Sequence, residues 1–344
     1  MVTIEDVAKR AGVSTMTASR VVNNSSLVKK STAQRVLRAI EELGYIQNKL
    51  AKSLVSGESK TIGIVSSNYY NQAYTDIIAA ITDIAYANGY AVITSNVNDY
   101  QSAVRGVDAL LGHQVDGIIL LPLEMRMTQV SDYRISMIQI QKFAQYFKQV
   151  VTDANIPALT VSQKIEGIVD IRFDFKDLAQ KALDYLFEKG YTDIAMLNSN
   201  IYDGFWREKE ELYKSLMQSR GLEEFIRIEK DVAEVEGGYR AMKRLLKKHI
   251  PKAVFCANDY IAIGALQVLN RFKLKVPEDI AVIGNDNVFF SEMTYPKLTT
   301  VALNAGDAGN KAISIMLKML AEKQPQSAFC DEIIATEVVV RESV

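Results

Sequence analysis

The first part of the chain carries hydrophobic residues at helical spacing in three short segments. In the first segment, the apolar positions follow the i, i+3, i+4, i+7 pattern of an amphipathic helix: Ile4, Val7, Ala8 and Ala11. Thr3 and Asp6 resemble a capping box that begins this helix, with Asp in place of the usual Glu. Gly12 can end it, because glycine adopts a positive φ at low cost.

Two further helices are predicted behind the first. Ser14 is the expected N-cap of a helix over 15–23, and Ser31 is the expected N-cap of a helix that ends at Gly44. The expected inward residues are Ala18, Val21 and Val22 in the one and Val36, Leu37, Ile40 and Leu43 in the other. Two helices joined by a short turn that contains glycine are typical of the helix-turn-helix unit. This segment therefore predicts binding to duplex DNA.

The pattern changes after the small and polar segment 56–60. Apolar, β-branched runs that predict strands now alternate with segments of helical period. The predicted strands cover 61–66, 91–95, 117–121, 158–161, 193–197, 253–256 and 280–283. The predicted helices cover 74–88, 102–111, 178–189, 208–219 and 261–269, with a further helix somewhere in 124–156. This alternation predicts two doubly wound α/β subdomains with parallel sheets, whose ligands bind beyond the carboxyl ends of the strands.

The charge of the chain is unevenly distributed between these two parts. Residues 1–60 contain 10 Lys and Arg against 5 Asp and Glu, a net charge of +5, whereas the remainder contains 30 against 36, a net charge of −6. A basic head on an acidic body indicates that only the head meets a polyanion. The alternative is a chance fluctuation of composition.

The composition also limits where the protein acts. The polar and acidic start of the chain is unlike a signal peptide, and no apolar run is long enough to span a bilayer. The two cysteines, Cys256 and Cys330, are too few for a disulfide framework, and Cys256 lies in an apolar run typical of a buried strand. We therefore expect a cytoplasmic protein that does not bind a membrane.

Motifs along nearly the whole chain resemble those of the LacI/GalR (lactose/galactose repressor) family. They lie at 3–8, 11–14, 17–23, 44–45, 48, 51–54, 257–259, 262–265, 276–280, 298–300 and 340–343. The resemblance implies a small all-α helix-turn-helix headpiece over 1–46, a hinge helix and linker over 47–60, and an α/β periplasmic-binding-protein-like body over 61–344. It implies two subdomains joined by three crossovers. We expect the first to cover about 61–163 and 293–323, and the second about 164–292 and 324–344.

The resemblance also implies which residues contact DNA. Thr15 and Met16 match the variable positions that read bases, and Arg20, one turn further on, can reach guanine. Phosphate contacts are expected from Thr17, Ser19 and Asn23, and hinge contacts from Asn48, Ala51 and Leu54. Leu54 matches a leucine that wedges into the minor groove and kinks the duplex. The alternatives are that Arg20 meets only phosphate or solvent and that Leu54 packs on the body.

A ligand site is implied in the cleft between the subdomains. Its expected residues are Asn71, Tyr74, Ser162, Trp206, Arg207, Asn258 and Asp286. Arg207 is one place away from the expected pocket arginine, and Ser162 stands where many members carry Asp. The alternatives are that Asp286 is a plain turn residue and that Trp206 is a packed surface anchor. Asp259 is expected to cap the helix that follows it.

The region between 121 and 157 is about fifteen residues longer than the resemblance leads one to expect. We interpret it as an elaborated surface helix. The alternative, suggested by its Met and aromatic residues, is a contact with a second copy or with another partner.

The expected function is a homodimeric, ligand-responsive transcription factor, most simply a repressor, that binds double-stranded DNA. By resemblance the effector is a sugar or sugar derivative, and its sign, induction or corepression, stays open. The alternative is an architectural regulator without a small-molecule effector. We expect neither an enzyme nor a cofactor, because no nucleophile elbow, phosphate loop or metal spacing is present and the two histidines, His113 and His249, lie at polar helix ends.

Overall fold

The computed structural model describes residues 2–22, 27–45, 58–67, 71–123, 133–200, 204–322 and 328–344, with the backbone alone over 133–137. The chain forms two compact units, a head up to Lys60 and a body over Thr61–Val344. The predictions on Asn23, Asn48, Ala51 and Leu54 lie outside the described residues. The all-α head and the α/β body confirm the predicted fold class.

Three helices form the head: α1 Ile4–Ala11, α2 Thr15–Val22 and α3 Lys30–Leu43. The predicted capping box is present, since the Thr3 hydroxyl accepts from the Asp6 N–H and the Asp6 carboxylate accepts from the Thr3 N–H. Gly12 ends α1 with a φ of 64°. A small core joins the helices: Val7, Ala8, Ala11, Ala18, Val21, Val36 and Ala39.

The predicted start and inner face of α3 are partly wrong. Its N-cap is Lys29, which makes no side-chain cap bond, so Ser31 lies inside the first turn. Leu37, expected inside, is 54% exposed, whereas Val36 and Ala39 fill the inner face. Ala39 is small and contributes little to a hydrophobic pattern in the sequence. Leu37 is next to Val36 in sequence but lies outside the buried face of the helix.

The body contains two six-stranded sheets. The first has the order β11-β5-β4-β3-β1-β2, and all its pairs are parallel. Its strands are β1 Thr61–Ser66, β2 Ala91–Asn96, β3 Gly117–Leu120, β4 Ala158–Val161, β5 Val169–Phe173 and β11 Glu332–Ile334. The second has the order β12-β10-β9-β8-β6-β7, and β12 alone runs antiparallel among the described strands. Its strands are β6 Ile194–Ser199, β7 Ile228–Asp231, β8 Ala253–Cys256, β9 Ala281–Asp286, β10 Thr299–Ala302 and β12 Glu337–Val339.

Helices cover both sheets. The helices of the first sheet are α4 Gln72–Ala87, α5 Tyr100–Gly112, α6 Tyr133–Asp153 and α11 Ala305–Glu322. Those of the second sheet are α7 Phe175–Glu188, α8 Phe205–Ser219, α9 Val235–Lys248 and α10 Asp259–Arg271. We call each sheet with its helices the first lobe and the second lobe. Cys256 is fully buried in β8, as predicted.

The chain passes between the lobes three times, but not where the sequence analysis expected. The strand β5 pairs with β4, so the first lobe continues to Phe173 rather than ending near residue 163. The strand β10 pairs with β9 and so belongs to the second lobe, whereas β11 pairs with β5 in the first. The crossovers therefore lie at about 174, 303 and 335, and the boundaries near 293 and 324 are wrong. Strand pairing decides lobe membership, and a single sequence does not reveal it.

The helix predicted in the long region 124–156 is α6, but it is not a surface elaboration. Phe143, Phe147 and Val151 on its inner face are buried in a core shared with α5 and the first sheet. It is the helix that connects β3 to the parallel strand β4. A deletion of 126–150 would remove part of this core, so it would not isolate a partner contact.

Candidate functional site

The helix α2 presents the predicted DNA-reading residues. Ser14 begins it as expected: its hydroxyl accepts from the Thr17 N–H at 3.2 Å and lies 2.9 Å from the Thr17 hydroxyl. Ala18 and Val21 are buried against the other two helices of the head. The opposite face of α2 is consequently directed to solvent.

The structure brings the three predicted base-reading residues together on this open face. Thr15, Met16 and Arg20 are exposed, and Met16 is exposed to 64% although it is a large apolar side chain. Thr17 and Ser19 are half-buried at the margin of the same helix. An exposed methionine between polar residues has no packing role, and it is available for contact with an apolar group of a partner.

The second lobe holds a charged site at the carboxyl ends of its strands. Asp286 is the last residue of β9 and has a φ of 108°, a conformation that L-residues rarely adopt. Burial raises the pKa of its carboxyl to about 6, although the nearby charge of Lys209 opposes this shift. No hydrogen bond from another described residue reaches this carboxylate. Asp286 is therefore an acceptor held in a costly conformation without a visible structural purpose.

Lys209, which was not predicted from the sequence, supplies the opposite charge. Its side chain is 1% exposed on the inner face of α8, and its Nζ donates to the Ala257 carbonyl at 2.7 Å. Burial lowers the pKa of the Lys209 ammonium, and the charges of Asp286 and Asp259 oppose that shift. An ammonium has three donors, so capacity remains for a further acceptor.

Three aromatic rings surround this ammonium. Its Nζ lies 5.7 Å from the ring centroids of Phe205 and Trp206 and 5.9 Å from that of Phe175. The Phe175 and Phe205 rings stack at 4.6 Å. A signal for Lys209 does exist in the sequence, because it continues the helical stripe of Phe205 with Leu212 and Tyr213.

A buried network behind the site fixes the loop that follows Asp286. The Asp259 carboxylate accepts from the Val288 N–H at 2.9 Å and from the Thr300 hydroxyl at 2.6 Å. Burial raises the pKa of the Asp259 carboxyl well above its usual range, and the charge of Asp286 raises it further. Arg341, from the end of the chain, donates to the Asn287 side chain at 2.8 Å. The prediction that Asp259 caps α10 is wrong.

The residue before Asp259 is the actual cap. The Asn258 side-chain oxygen accepts from the Ile261 N–H at 2.8 Å, and its amide nitrogen donates to the Ala233 carbonyl at 3.2 Å. Both polar ends of this predicted ligand residue are thus used inside the second lobe.

The other predicted ligand residues are Tyr74, Trp206, Asn71, Ser162 and Arg207, and of these Trp206 is linked to Asp286 through Lys209. Tyr74 is buried in the core of the first lobe, and Trp206 is half-buried beside Lys209. The Asn71 side chain caps α4, and the Ser162 hydroxyl accepts from the Phe173 N–H at 2.9 Å. Arg207 projects outward and pairs with Glu211 at 2.7 Å. The structure therefore brings Trp206 and Asp286 together through Lys209, and it directs Arg207 away.

Two further observations concern other kinds of site. Among the residues that the structure describes, no group of three or more His, Cys, Asp and Glu could hold a metal ion. Over the same residues, no helix is both long and apolar enough to cross a membrane. His249, predicted at the surface, is only partly exposed and contacts the Asp193 carboxylate at 2.8 Å.

Comparison with known proteins adds the family. Residues 3–48 match the description "Bacterial regulatory proteins, lacI family", and residues 183–344 match "Periplasmic binding protein-like domain". The chain is 30% identical to the HTH-type transcriptional repressor PurR of Histophilus somni (strain 2336), over all of this chain and 99% of that protein. It is 31% identical, with the same coverage, to PurR of Haemophilus influenzae (strain PittEE).

Solved structures agree with this assignment. The lac repressor dimer bound to operator and the anti-inducer ONPF has a TM-score of 0.80 and 26% identity, and the match covers 99% of this chain and 98% of that one. The complex of the transcriptional regulator CelR with cellobiose shares the fold, at a TM-score of 0.66 and 24% identity over the whole of both chains. Together with the helix-turn-helix head and the two-lobed body, these matches identify the chain as a member of the lacI family of bacterial regulatory proteins and as a DNA-binding transcriptional repressor.

Proposed function

We propose that the chain acts as a homodimer on a pseudo-palindromic operator, with one α2 helix in each half-site. One head reads only a half-site, and two heads related by a twofold axis read a palindrome. The lac repressor relative was solved as a dimer on its operator, which supports the proposal. The basic charge of residues 1–60 favours the approach to phosphate.

Within each half-site, we assign base contacts to the exposed face of α2. Arg20 donates to a guanine edge, Met16 contacts a thymine methyl, and Thr15 bonds a base or a phosphate. Thr17 and Ser19 set the register through phosphates. The contacts of Asn23, Asn48 and Ala51 and the minor-groove wedge of Leu54 remain predictions from the sequence.

The proposed effector is a sugar or sugar derivative that binds in the body at Asp286. The observation that carries this proposal is the Asp286 carboxylate, which no described residue bonds and which a strained backbone holds beside Lys209. A carboxylate acceptor next to an ammonium donor suits vicinal hydroxyl groups, which both accept and donate. The rings of Trp206 and Phe205 offer the apolar surface on which a sugar ring stacks.

A thermal-shift screen of the full chain against sugars and phosphosugars tests the effector site, because a true ligand stabilises the folded state by mass action. Each compound that stabilises the protein is then measured on Asp286→Asn and on Asp83→Asn, a control at an exposed position of α4. We expect the shift to persist in the control and to disappear in Asp286→Asn. Equal shifts in both variants would remove Asp286 from the site.

Operator affinity at fixed salt then tests control by the effector. A ligand changes DNA binding only as far as it prefers one conformation of the protein. An operator affinity that no stabilising sugar changes would favour the alternative, a regulator without a small-molecule effector. We further propose that the chain has no catalytic role and that it acts in the cytoplasm, where a bacterial regulator meets its DNA.

A further inference from the structure

One residue of the first lobe contacts two elements of the second. Gln72 is the first residue of α4, directly after the Asn71 cap. Its side-chain oxygen accepts from the backbone N–H of Phe289 at 2.7 Å. Phe289 begins the short 3₁₀ turn Phe289–Glu292, which follows β9 and Asp286 in the second lobe. This hydrogen bond therefore crosses the cleft between the lobes.

The carboxamide of Gln72 is held in the orientation that this bond needs. Its Nε2 donates to the Asp76 carboxylate at 3.3 Å, one turn further along α4, which leaves Oε1 directed toward Phe289. The backbone N–H of Gln72 also interacts with the hydroxyl of Tyr260 in α10. Gln72 thus meets both a turn and a helix of the second lobe.

We propose that Gln72 is a latch that holds the two lobes together. The lobes are joined covalently at three short crossovers, so opening of the cleft is a rotation that these crossovers permit. A hydrogen bond across the cleft must break before the lobes separate, and it therefore lowers the population of the open state. The latch adjoins Asn71 on one side and the loop after Asp286 on the other, so it lies at the edge of the proposed effector site.

The structure offers a matched control. Gln149 in α6 forms the same i, i+4 pair with Asp153, with its Nε2 at 2.8 Å from the carboxylate, but it is exposed and bonds no residue of the second lobe among those described. Gln72→Leu removes the acceptor at similar volume, and Gln149→Leu removes the same helix-surface pair without touching the cleft. Neither variant needs a known effector or operator.

Hydrogen exchange of the full chain, without added ligand, is the test. The readouts are amides that neighbour the latch contacts in sequence but bond residues other than Gln72: Ala73 in α4, Ile261 in α10 and Val288 before the turn. We expect Gln72→Leu to raise their exchange rates about threefold to tenfold, the range expected for one lost hydrogen bond. We expect no change at these amides in Gln149→Leu.

A second variant removes the donor instead of the acceptor. Phe289→Pro deletes the N–H at the first position of a helical turn, which proline tolerates, and Val288 already has the extended conformation (ψ 152°) that a residue before proline adopts. The double variant should then exchange no faster at Ala73 and Ile261 than either single variant, because both changes break one bond.

The latch would be overturned if Gln72→Leu raised the exchange rate of the Phe289 amide alone and left the rates of Ala73, Ile261 and Val288 unchanged. Additive effects in the double variant would also overturn it, since two independent contacts would then be at work. The inference rests on the contacts between the lobes and not on the effector, so a failed sugar screen would leave it standing.

Discussion

The proposed DNA-reading face of the head and the proposed effector site of the body differ in how far their side chains are removed from water. In the head, the proposed reading residues Thr15, Met16 and Arg20 lie within two turns of one helix and are exposed. In the body, Asp286 and Lys209 come from distant parts of the chain and meet where burial shifts the pKa of both. A polyanion is bound by charges that remain in water until contact, whereas a small molecule is bound by polar groups already removed from water.

This difference has an energetic consequence. The exposed side chains of α2 contribute little to the stability of the folded head, so substitutions there affect binding above all. The charged groups around Asp286 are costly to bury, so substitutions there change stability whatever their effect on a ligand. Substitutions in the head and in the body therefore have different expected effects.

The largest expected effect concerns the packing of the body. A Cβ added at Gly264 in α10 would lie 2.0 Å from the Val235 carbonyl oxygen and 2.6 Å from the Tyr239 backbone nitrogen, so α9 and α10 would have to move apart. We expect Gly264→Ala to lower the free energy of unfolding of the body by about 3 kcal/mol or more, because backbone atoms cannot yield as a flexible side chain can.

Thermal unfolding of the full chain measures this effect. Gly112→Ala is the control, since a Cβ there meets nothing within 4 Å at the end of α5. Amide exchange in α1 and α3 should stay unchanged in both variants. Equal melting temperatures for the two variants would contradict the packing of α9 on α10.

The second effect follows from the raised pKa of Asp286. A carboxyl group with a folded-state pKa of about 6, above its ordinary value of 3.8, carries a cost that is absent below about pH 4 and complete above about pH 6. Asp286→Asn removes the ionised form and should stabilise the body on the order of 1–3 kcal/mol at pH 8, with little effect at pH 4.

Unfolding of both proteins between pH 4 and pH 8 checks this sign. Asp83→Asn, at an exposed position of α4, serves again as the control for the loss of a carboxylate. A variant that is less stable than the parent at pH 8 would mean that the Asp286 carboxylate is stabilised by groups other than those described.

In the head, a change of similar free energy is expected in DNA binding and not in stability. Arg20→Ala should weaken binding to the selected operator by about 1–3 kcal/mol and relax one base position, because a guanidinium that bonds a guanine edge discriminates between bases. Arg38→Ala removes the same charge from an exposed position of α3 and should weaken specific and random DNA alike. Titration of both variants with operator and random duplexes at one salt concentration gives the comparison. Equal losses on the two duplexes for Arg20→Ala would assign Arg20 to phosphate.

The smallest expected change in stability distinguishes Ser14, which caps a helix, from Ser31, which was predicted to cap one but does not. Ser14→Ala leaves the Thr17 N–H without its acceptor and should destabilise the head by about 1 kcal/mol. Ser31→Ala lies within the first turn of α3 and makes no cap bond, so it should change stability by a few tenths of a kcal/mol at most. Amide exchange in the head measures both, and the melting of the body should not change. A larger effect for Ser31→Ala would mean that Ser31 is the N-cap and that α3 begins two residues later than observed.

Elements fixed by residues that are close together in sequence were predicted more successfully than elements fixed by distant contacts. The capping box of α1, the Ser14 cap and the buried strands β1, β3 and β8 were predicted from residues that are close together in sequence. The strand β7 and the helix α9 were missed, because their charged residues pair with one another across the edge of the sheet, as Arg244 does with Glu229 and Asp231. Charged residues that are partly buried in ion pairs occupy positions where a hydrophobic residue would be expected. The hydrophobic pattern that predicts a strand or a helix is therefore absent.

The candidate site shows the same limit at single residues. Asp286 was predicted from a motif, and the structure adds the strain and the missing bond that make it stand out. Asn258 and Asp259 exchange their expected roles, because which of two neighbouring side chains faces the helix start depends on the backbone at the end of β8. Arg207 was predicted to bind the ligand, but it lies on the exposed face of α8, where it pairs with Glu211.

The sequence by itself determined the helix-turn-helix head, the α/β class of the body and the face of α2 that is exposed to solvent, because these depend on residues within a turn or a strand of one another. Only the tertiary structure decided the lobe boundaries, the burial of Lys209 beside Asp286 and the contact of Gln72 with Phe289. Each of these joins segments that are distant in sequence, and their meeting depends on which strands pair and how the helices pack. A bond across the cleft leaves no periodic trace in either of the segments that it joins.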